Sequence, residues 1–380
     1  MRILFTFAGG SGHLEPLIPI ARAAEAAGHT VAFAGRPWMV PTVLALGFAA
    51  FPAGSDAGLT PRRLPLAPID LERDIRAVGE GFGRRIARER AADLLRLCRD
   101  WAPDLFVCEE IDFGALIVAE RFATPHATVI VIGAGGFVRP EVVAGPLAEI
   151  RAEHDLEPDP ALTMPSRDLV LSPFPPSYRD AAFPLPATTH FVRLPSRDDP
   201  PAAWIMRRDR APLVYFTLGT IYNVESGDLF QRVLAGLRDL PISVVVTVGR
   251  DIDPAELGPQ PANVHVERFI PQATLLSHCQ LVVSHGGSGS VLGALMYGLP
   301  MVLIPLGADQ PLNAARCESL GVALTLDAVR ITSPAVGEAV SRVLADPAYR
   351  GAAQRLRDEI AALPGPDHAL ALLEQLARAK

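Results

Sequence analysis

Two glycine-rich turns, far apart in the chain, carry the side chains best suited to chemistry. The first, His285-Gly286-Gly287-Ser288-Gly289-Ser290, follows the apolar run Leu281–Ser284 and precedes residues 291–297, in which Gly293 is the only helix breaker. This order predicts a buried strand, a tight turn and the N-terminus of a helix. Free backbone N–H groups and the positive end of the helix dipole favour an anion there, most often a phosphate. His285, Ser288 and Ser290 add side-chain hydrogen-bond donors.

The second turn, Gly9-Gly10-Ser11-Gly12-His13, follows the apolar residues 2–8 near the start of the chain. His13 falls where the next helix begins, at the carboxyl end of a predicted strand. A histidine there is placed to act as a general base, although a lone histidine is often structural. A later strand, residues 104–108, is followed by Glu109 and Asp112, and a carboxylate at that strand end would orient the imidazole. A surface carboxylate without a role is the alternative.

The second turn also matches part of the dinucleotide-binding fingerprint, through Gly10-x-Gly12. The third glycine of that fingerprint is missing, and the next strand ends at Gly35-Arg36, where an NAD enzyme carries an acidic residue for the ribose. Arg36 would suit the 2′-phosphate of NADP. An NADP-dependent oxidoreductase is therefore kept as an alternative.

Each turn joins a predicted strand to a predicted helix, so the pattern of strands and helices along the chain decides where the turns lie. Short apolar runs alternate with helix-period stretches in both halves of the chain, which predicts α/β domains with parallel sheets and right-handed crossovers. Such sheets bind ligands at the carboxyl ends of their strands, where both turns are expected. Proline and charge without apolar periodicity mark residues 191–209 as linker sequence. The proline-rich residues 37–80 predict loops and short helices.

Composition narrows the functional classes. The 380 residues suit two domains, and 35 basic against 42 acidic residues give a net charge of −7 without a basic patch, which argues against nucleic acid as a partner. The arginines within residues 84–90 predict a solvated helix face. Four scattered cysteines predict reduced thiols. The first apolar run is too short for a signal peptide, and the uncharged residues 280–308 contain glycines and prolines that a membrane span would not tolerate. A soluble cytoplasmic protein is expected.

These segments resemble family-one glycosyltransferases, and most closely the actinobacterial branch that decorates natural products. The resemblance lies in Phe269-Ile270-Pro271-Gln272, the turn that begins at His285, Gly298-Leu299-Pro300, Pro305 and Asp309-Gln310, and in Gly12-His13-Leu14-Glu15-Pro16 near the N-terminus. It implies the GT-B fold, with two doubly wound Rossmann-like domains and a cleft between them. The implied division is an acceptor-binding domain at 1–195, a linker at 196–210, a nucleotide-sugar domain at 211–362 and a helix at 363–380 that returns to the first domain.

The resemblance also implies the reaction, an inverting and metal-independent transfer of a sugar to a hydroxyl of a small hydrophobic acceptor. His13 would be the general base, with Glu109 as its partner by alignment and Asp112 as second choice. Phe269 would stack on the nucleotide base, and Asp309 and Gln310 would bind sugar hydroxyls. The implied nucleotide-sugar site is Thr220, Phe269, Ile270, Gln272, His285, Gly286, Gly287, Ser288, Gly289, Ser290, Asp309 and Gln310.

No cofactor beyond the donor substrate, a dTDP- or UDP-sugar, and no metal are expected. Asp251-x-Asp253 has the form of a metal motif, but Asp253 precedes Pro254 and is typical of a helix N-cap. Plant relatives carry a Glu for the ribose hydroxyls where this chain has Gly293, which favours the deoxyribose of dTDP over UDP. A GT-B epimerase and a non-catalytic helper of a transferase are further alternatives. The acceptor, whose pocket is expected in residues 50–90 and 133–165, and the choice between monomer and homodimer stay open.

Overall fold

The computed structural model describes residues 1–56, 63–194 and 211–379, and these form two compact units. The first unit comprises Met1–Leu59, Glu72–Pro195 and Ala362–Lys380, and the second comprises Thr60–Leu71 and Ser196–Ala361. The division differs from the sequence-based boundaries at the segment Thr60–Leu71, which groups with the second unit. The predicted linker, 196–210, lies outside the described residues.

The first unit is built on a seven-stranded parallel sheet. Its spatial order, 3-2-1-4-5-6-7, reverses direction between the first and fourth strands, and a reversal of this kind opens a crevice at the carboxyl edge of the sheet. His13 follows one of these two strands and Glu109 ends the other. The strands are β1 Arg2–Thr6, β2 Thr30–Gly35, β3 Ala49–Pro52, β4 Leu105–Glu109, β5 His126–Val129, β6 Leu169–Ser172 and β7 Thr189–Phe191.

Helices cover both faces of this sheet, as its continuous apolar strands require. One stretch, from Leu71 to Trp101, is helical throughout and contains a π-helical segment in its middle. The helices are α1 Ser11–Leu14, α2 Ile18–Ala26, α3 Val40–Ala45, α4 Leu71–Val78, the π-helix Gly79–Ile86, α5 Ala87–Trp101, α6 Phe113–Arg121 and α7 Pro140–Glu153.

The second unit is built on a six-stranded parallel sheet whose order reverses between β8 Leu213–Thr217 and β11 Leu281–Ser284. The turn that begins at His285 follows β11 and therefore lies at this reversal. The other strands are β9 Ser243–Thr247, β10 Val264–Glu267, β12 Met301–Leu303 and β13 Ala323–Thr325. The helices are α8 Leu229–Leu237, α9 Gln272–Leu276, α10 Ser288–Met296, α11 Gln310–Ser319, α12 Ser333–Ala345 and α13 Pro347–Ala362.

The last helix, α14 Pro366–Arg378, packs against α2 in the first unit. Its buried face, Ala369, Leu370 and Leu373, joins the apolar core that α2 and β1 share. Two doubly wound parallel sheets confirm the predicted α/β fold. Within the described residues, no helix is both long enough and apolar enough to cross a membrane.

Candidate active site

The first candidate site is the edge of the sheet where β1 and β4 end. Gly10 caps α1 in an extended conformation, and the His13 ring lies against the backbone of Gly9. A Cβ atom at position 9 would lie 2.1 Å from Cδ2 of His13, so only glycine allows the ring this position. The side chain of His13 keeps 25% of its surface exposed. The imidazole is therefore held closely and still reaches solvent.

Glu109 is the acidic partner of this histidine. Its carboxylate is fully buried, and Oε1 lies 3.3 Å from Nδ1 of His13. The same oxygen accepts a hydrogen bond of 3.0 Å from the N–H of Ala8, and Oε2 accepts one of 2.9 Å from the N–H of Ile111. Burial alone would raise the pKa of Glu109, but His13 and the two N–H groups outweigh it and the pKa lies below its usual value. The side chain is thus an anion fixed by the strand ends.

Asp112, the second candidate for this role, has a different partner. It caps α6 by accepting from the N–H of Ala115, and its Oδ1 accepts a 2.7 Å hydrogen bond from Nε of Arg90. Both side chains of the Asp112–Arg90 pair are fully buried. Arg90 also donates to the carbonyls of Ala34 and Ala53. The prediction that residues 84–90 form a solvated face is wrong at Arg90, because this side chain ties α5 to α6 and to the ends of β2 and β3.

Glu110 organises the neighbouring loop. Its carboxylate accepts hydrogen bonds of 2.9 and 3.4 Å from the N–H groups of Val131 and Ile132, just after β5. Burial raises the pKa of Glu110 to about 7, although Arg179 and these N–H groups oppose the shift. Glu110 thereby fixes the start of the loop in which part of the acceptor pocket is expected.

The second candidate site is the turn between β11 and α10. Gly286 has φ +82°, a left-handed conformation that favours glycine, and Gly287 is the N-cap of α10. As a glycine, Gly287 supplies no side-chain cap to this nine-residue helix. The predicted order of strand, glycine-rich turn and helix N-terminus is present, and the amides of Ser288, Gly289 and Ser290 form its first turn.

A buried amide that sequence reasoning did not assign holds this turn. Nδ2 of Asn313, on α11, donates to the carbonyl of Gly286 at 3.0 Å, to Oγ of Ser288 at 3.0 Å and to Oδ2 of Asp309 at 2.8 Å. Ser288 in turn donates to Asp309 at 2.6 Å. Asn313 therefore connects the turn after β11 to the start of α11. Its spacing of four residues from Asp309, one helical turn, is the only sequence signal for this role.

The two predicted sugar-binding residues lie at the start of α11. Gln310 is buried, and its Oε1 accepts hydrogen bonds from the N–H groups of Leu306 at 2.8 Å and Gly307 at 3.3 Å. These bonds hold a loop in which Ala308 has φ +52°. Asp309 is half-buried and accepts from Ser288 and Asn313. Both side chains organise the loop, and their contact with a sugar stays a prediction.

His285 lies between two glycines. A Cβ atom at Gly219 would be 2.7 Å from its Cε1 and Nε2, and one at Gly287 would be 2.6 Å from Nε2. Within the described residues, the buried Nδ1 of His285 has no hydrogen-bond partner. Burial lowers the pKa of His285 to about 4, so the ring is neutral at physiological pH. Thr220, next to Gly219, is exposed.

The predicted base-stacking residue is presented on the surface of the second unit. Phe269 is 51% exposed, and the guanidinium carbon of Arg250 lies 5.3 Å from its ring centroid. Ile270 is buried, so its predicted binding role would have to use its backbone. Gln272 donates a long hydrogen bond of 3.5 Å to Oγ of Ser290, in the first turn of α10.

The metal-like motif forms a helix cap, as predicted. Asp253 accepts a hydrogen bond from the N–H of Ala255, and Glu256 accepts one from the N–H of Asp253, which completes a capping box. Across residues 1–56, 63–194 and 211–379, no group of three or more His, Cys, Asp or Glu side chains has the geometry to hold a metal ion.

Comparison with known proteins shows the family of this chain. Residues 231–376 match the model described as "Erythromycin biosynthesis protein CIII-like, C-terminal domain". The chain is 31% identical over 422 residues to 4'-demethylrebeccamycin synthase of Lentzea aerocolonigenes, covering 99% of each. It is 30% identical over 386 residues to L-demethylnoviosyl transferase of Streptomyces niveus, covering 96% of each. The chain belongs to this family of actinobacterial natural-product glycosyltransferases.

The fold of this glycosyltransferase agrees with its solved relatives. A glycosyltransferase of Streptomyces sp. SF2575, solved in complex with thymidine diphosphate, superposes with a TM-score of 0.79 at 27% identity and covers 99% of each chain. The predicted GT-B class and transferase activity are thereby confirmed. The comparisons favour neither the NADP-dependent oxidoreductase nor the epimerase.

Proposed function

We propose that this enzyme is an inverting, metal-independent glycosyltransferase that transfers a sugar from a dTDP-sugar to a hydroxyl group of a small natural product. The observation that carries the proposal is the buried Glu109 carboxylate 3.3 Å from Nδ1 of the partly exposed His13. The names of the relatives support the substrate classes, because they transfer sugars to natural products and one was solved with thymidine diphosphate.

In the proposed reaction His13 is the general base. A carboxylate beside Nδ1 favours the tautomer with its proton on that nitrogen, which leaves the lone pair on Nε2. Nε2 takes the proton of the acceptor hydroxyl as the oxygen forms a bond to the anomeric carbon. The bond from that carbon to the phosphate oxygen breaks on the opposite face, so the configuration inverts and the nucleoside diphosphate leaves. Glu109 stabilises the imidazolium that results.

The second candidate site would hold the departing diphosphate. The N–H groups at the start of α10 and the helix dipole supply positive potential where negative charge develops, the role that a divalent ion fills in other transferases. Neutral His285 would act as an N–H donor to the phosphate, with Thr220 beside it. Phe269 would stack on the thymine, and Asp309 would bind sugar hydroxyls.

Gly293 supports dTDP over UDP. It lies within α10, and a Cβ atom there would be 3.2 Å from both Oε1 of Gln272 and Cδ1 of Leu276. The close contact with α9 explains why a small residue suits the position. No carboxylate is supplied there for a pair of ribose hydroxyls, and a 2′-deoxyribose loses less from its absence. Tighter binding of UDP than of dTDP in calorimetry would contradict this part of the proposal.

The decisive test is the variant His13→Ala, assayed for sugar transfer and, by calorimetry, for dTDP binding. Removal of a general base should lower kcat by about 10²–10⁴-fold. Binding of dTDP should stay as in the wild-type enzyme, because the proposed nucleotide site is formed by other residues. Full transfer activity in this variant would remove His13 as the base.

A further inference from the structure

The π-helix Gly79–Ile86 places an aromatic ring against the proposed base. The ring centroids of Phe82 and His13 are 6.1 Å apart, and their planes differ by 13°, which is an offset parallel stack. π-helical segments inside longer helices are rare and are frequently found at functional sites. Phe82 belongs to none of the motifs in the sequence, so the structure alone connects it to His13.

The π-helix is fixed to α7 on both sides of Phe82. A Cβ atom at Gly79 would lie 2.7 Å from the carbonyl oxygen of Val142, so the two helices meet at the backbone. Beyond Phe82, Arg84 pairs with Glu149, and Arg88 binds Glu153 at 2.9 Å. These contacts anchor the backbone that carries the ring, and the stack on His13 is therefore a built feature of the first unit.

The stack on Phe82 adds to the restraints that Glu109 and Gly9 place on the imidazole. The χ2 torsion of histidine joins an sp³ to an sp² carbon and has a broad energy profile. Glu109 lies 3.3 Å from Nδ1, and Gly9 limits the ring along its Cδ2–Nε2 side. Contact with the ring face of Phe82 opposes rotation about χ2 directly.

We propose that Phe82 is a positioning residue for the general base, which keeps Nδ1 of His13 on Glu109 and Nε2 turned towards the acceptor hydroxyl. This rests on the proposed function of His13. Small misplacements of a reacting group lower rates by up to about 10²-fold. We therefore expect Phe82→Leu to lower kcat by about 10-fold, and Phe82→Tyr, which keeps the ring, to restore it.

The first measurement needs no substrate. In enzyme labelled with ¹³C at the Cε1 of histidine, the His13 signal is identified by its loss in His13→Ala. It should shift and broaden in Phe82→Leu and return towards the wild-type position in Phe82→Tyr, because the ring current and the restraint on χ2 both come from residue 82. An unchanged His13 signal in Phe82→Leu would overturn the proposal.

The second measurement separates positioning from acceptor binding. Transfer from dTDP-glucose to 4-methylumbelliferone, used as a phenolic probe, should show the fall in kcat with the acceptor KM within about twofold. A raised KM with unchanged kcat would make Phe82 part of the acceptor wall and overturn the proposal. Phe122→Leu is the matched control. This exposed residue follows α6, at the amino-terminal ends of the strands, whereas His13 lies at their carboxyl ends.

Failure of the proposed function would look different. If His13→Ala keeps full transfer activity, His13 is not the base, and Phe82 positions no catalytic group whatever the spectra show. If the probe is not turned over by the wild-type enzyme, the broadening of the His13 signal decides alone, because broadening reports motion of the ring whereas the shift also contains the lost ring current. Thermal unfolding of each variant shows whether a loss of activity comes from a loss of folded protein.

Discussion

The two histidines at the glycine-rich turns have opposite surroundings. His13 keeps a quarter of its side chain exposed and has an ionised carboxylate beside Nδ1, whereas the buried Nδ1 of His285 has no hydrogen-bond partner within the described residues. A carboxylate partner stabilises the imidazolium that a base becomes. Burial without a partner keeps the ring of His285 neutral. A neutral imidazole still donates one N–H hydrogen bond to a phosphate, although it carries no charge. The same residue type thus suits two roles because of its surroundings.

We expect the largest effect on stability from the removal of Asp112, the carboxylate that pairs with Arg90. Asp112→Ala leaves Arg90 as an unpaired buried charge, and breaking such a pair costs about 3–5 kcal/mol of the free energy of unfolding. Urea unfolding measures this loss. Transfer activity per folded molecule should change little. A stable variant that had lost its activity would instead make Asp112 part of the catalytic machinery.

Glu109→Gln changes the partner of His13 without removing its shape. The amide carries no charge to stabilise the imidazolium, and it presents an N–H₂ group as well as an oxygen to Nδ1 and the N–H of Ala8. We expect kcat to fall by about 10²-fold, because mutation of the group that orients a functional histidine often lowers activity by about this factor. Steady-state kinetics with a dTDP-sugar measure the change. Equal losses of kcat in Glu109→Gln and Asp112→Asn would contradict the assignment of different roles to the two carboxylates.

The different roles of Glu109 and Asp112 show what could not be predicted from the sequence. Apolar runs and glycine positions predicted the strand ends and both turns, because strand termination and left-handed backbone are local properties. Glu109 and Asp112 are three residues apart, and only the end of β4 and the cap of α6 separate their roles. The resemblance to the family selected Glu109 as the partner of His13, whereas spacing alone did not distinguish the two carboxylates.

Other site residues gave weaker signals or none. Asn313 resembles any helical amide until the turn after β11 is folded around it. Phe82 has the pattern of an ordinary helix residue, and the π-helix around it lies within a stretch that is helical from Leu71 to Trp101. The segment Thr60–Leu71 groups with the second unit through tertiary contacts, such as the hydrogen bond from the N–H of Leu64 to the carbonyl of Val224. Packing decides each of these features.

The neutral state of His285 predicts a dependence of stability on pH. Its pKa of about 4 in the folded chain lies below the unfolded value of about 6.5, so the unfolded state binds a proton first as the pH falls. The free energy of unfolding should therefore decrease below pH 6.5, by about 2 kcal/mol at pH 5 from this residue alone. Urea unfolding at pH 7 and pH 5 measures the decrease.

His285→Asn should remove this part of the decrease, because asparagine does not titrate. The matched variant His13→Asn tests whether the effect belongs to His285 or to any histidine at a glycine-rich turn. If the two variants show the same pH dependence as the wild-type enzyme, the contrast between the two histidines is wrong.

The smallest effect concerns the nucleotide. Gly293→Glu places in α10 a carboxylate for the ribose hydroxyls, and hydrogen bonds to a charged group contribute about 1.5–3 kcal/mol. Part of that gain offsets the contact that a Cβ atom makes with Gln272 and Leu276 at 3.2 Å. The ratio of UDP to dTDP affinity should therefore rise by about 10-fold, measured by calorimetry. Gly293→Ala introduces the same contact without the carboxylate, so it should weaken both nucleotides equally and leave the ratio unchanged. A ratio that rises in the alanine variant as well would assign nucleotide preference to the packing of α10 against α9, and the missing carboxylate would no longer explain it.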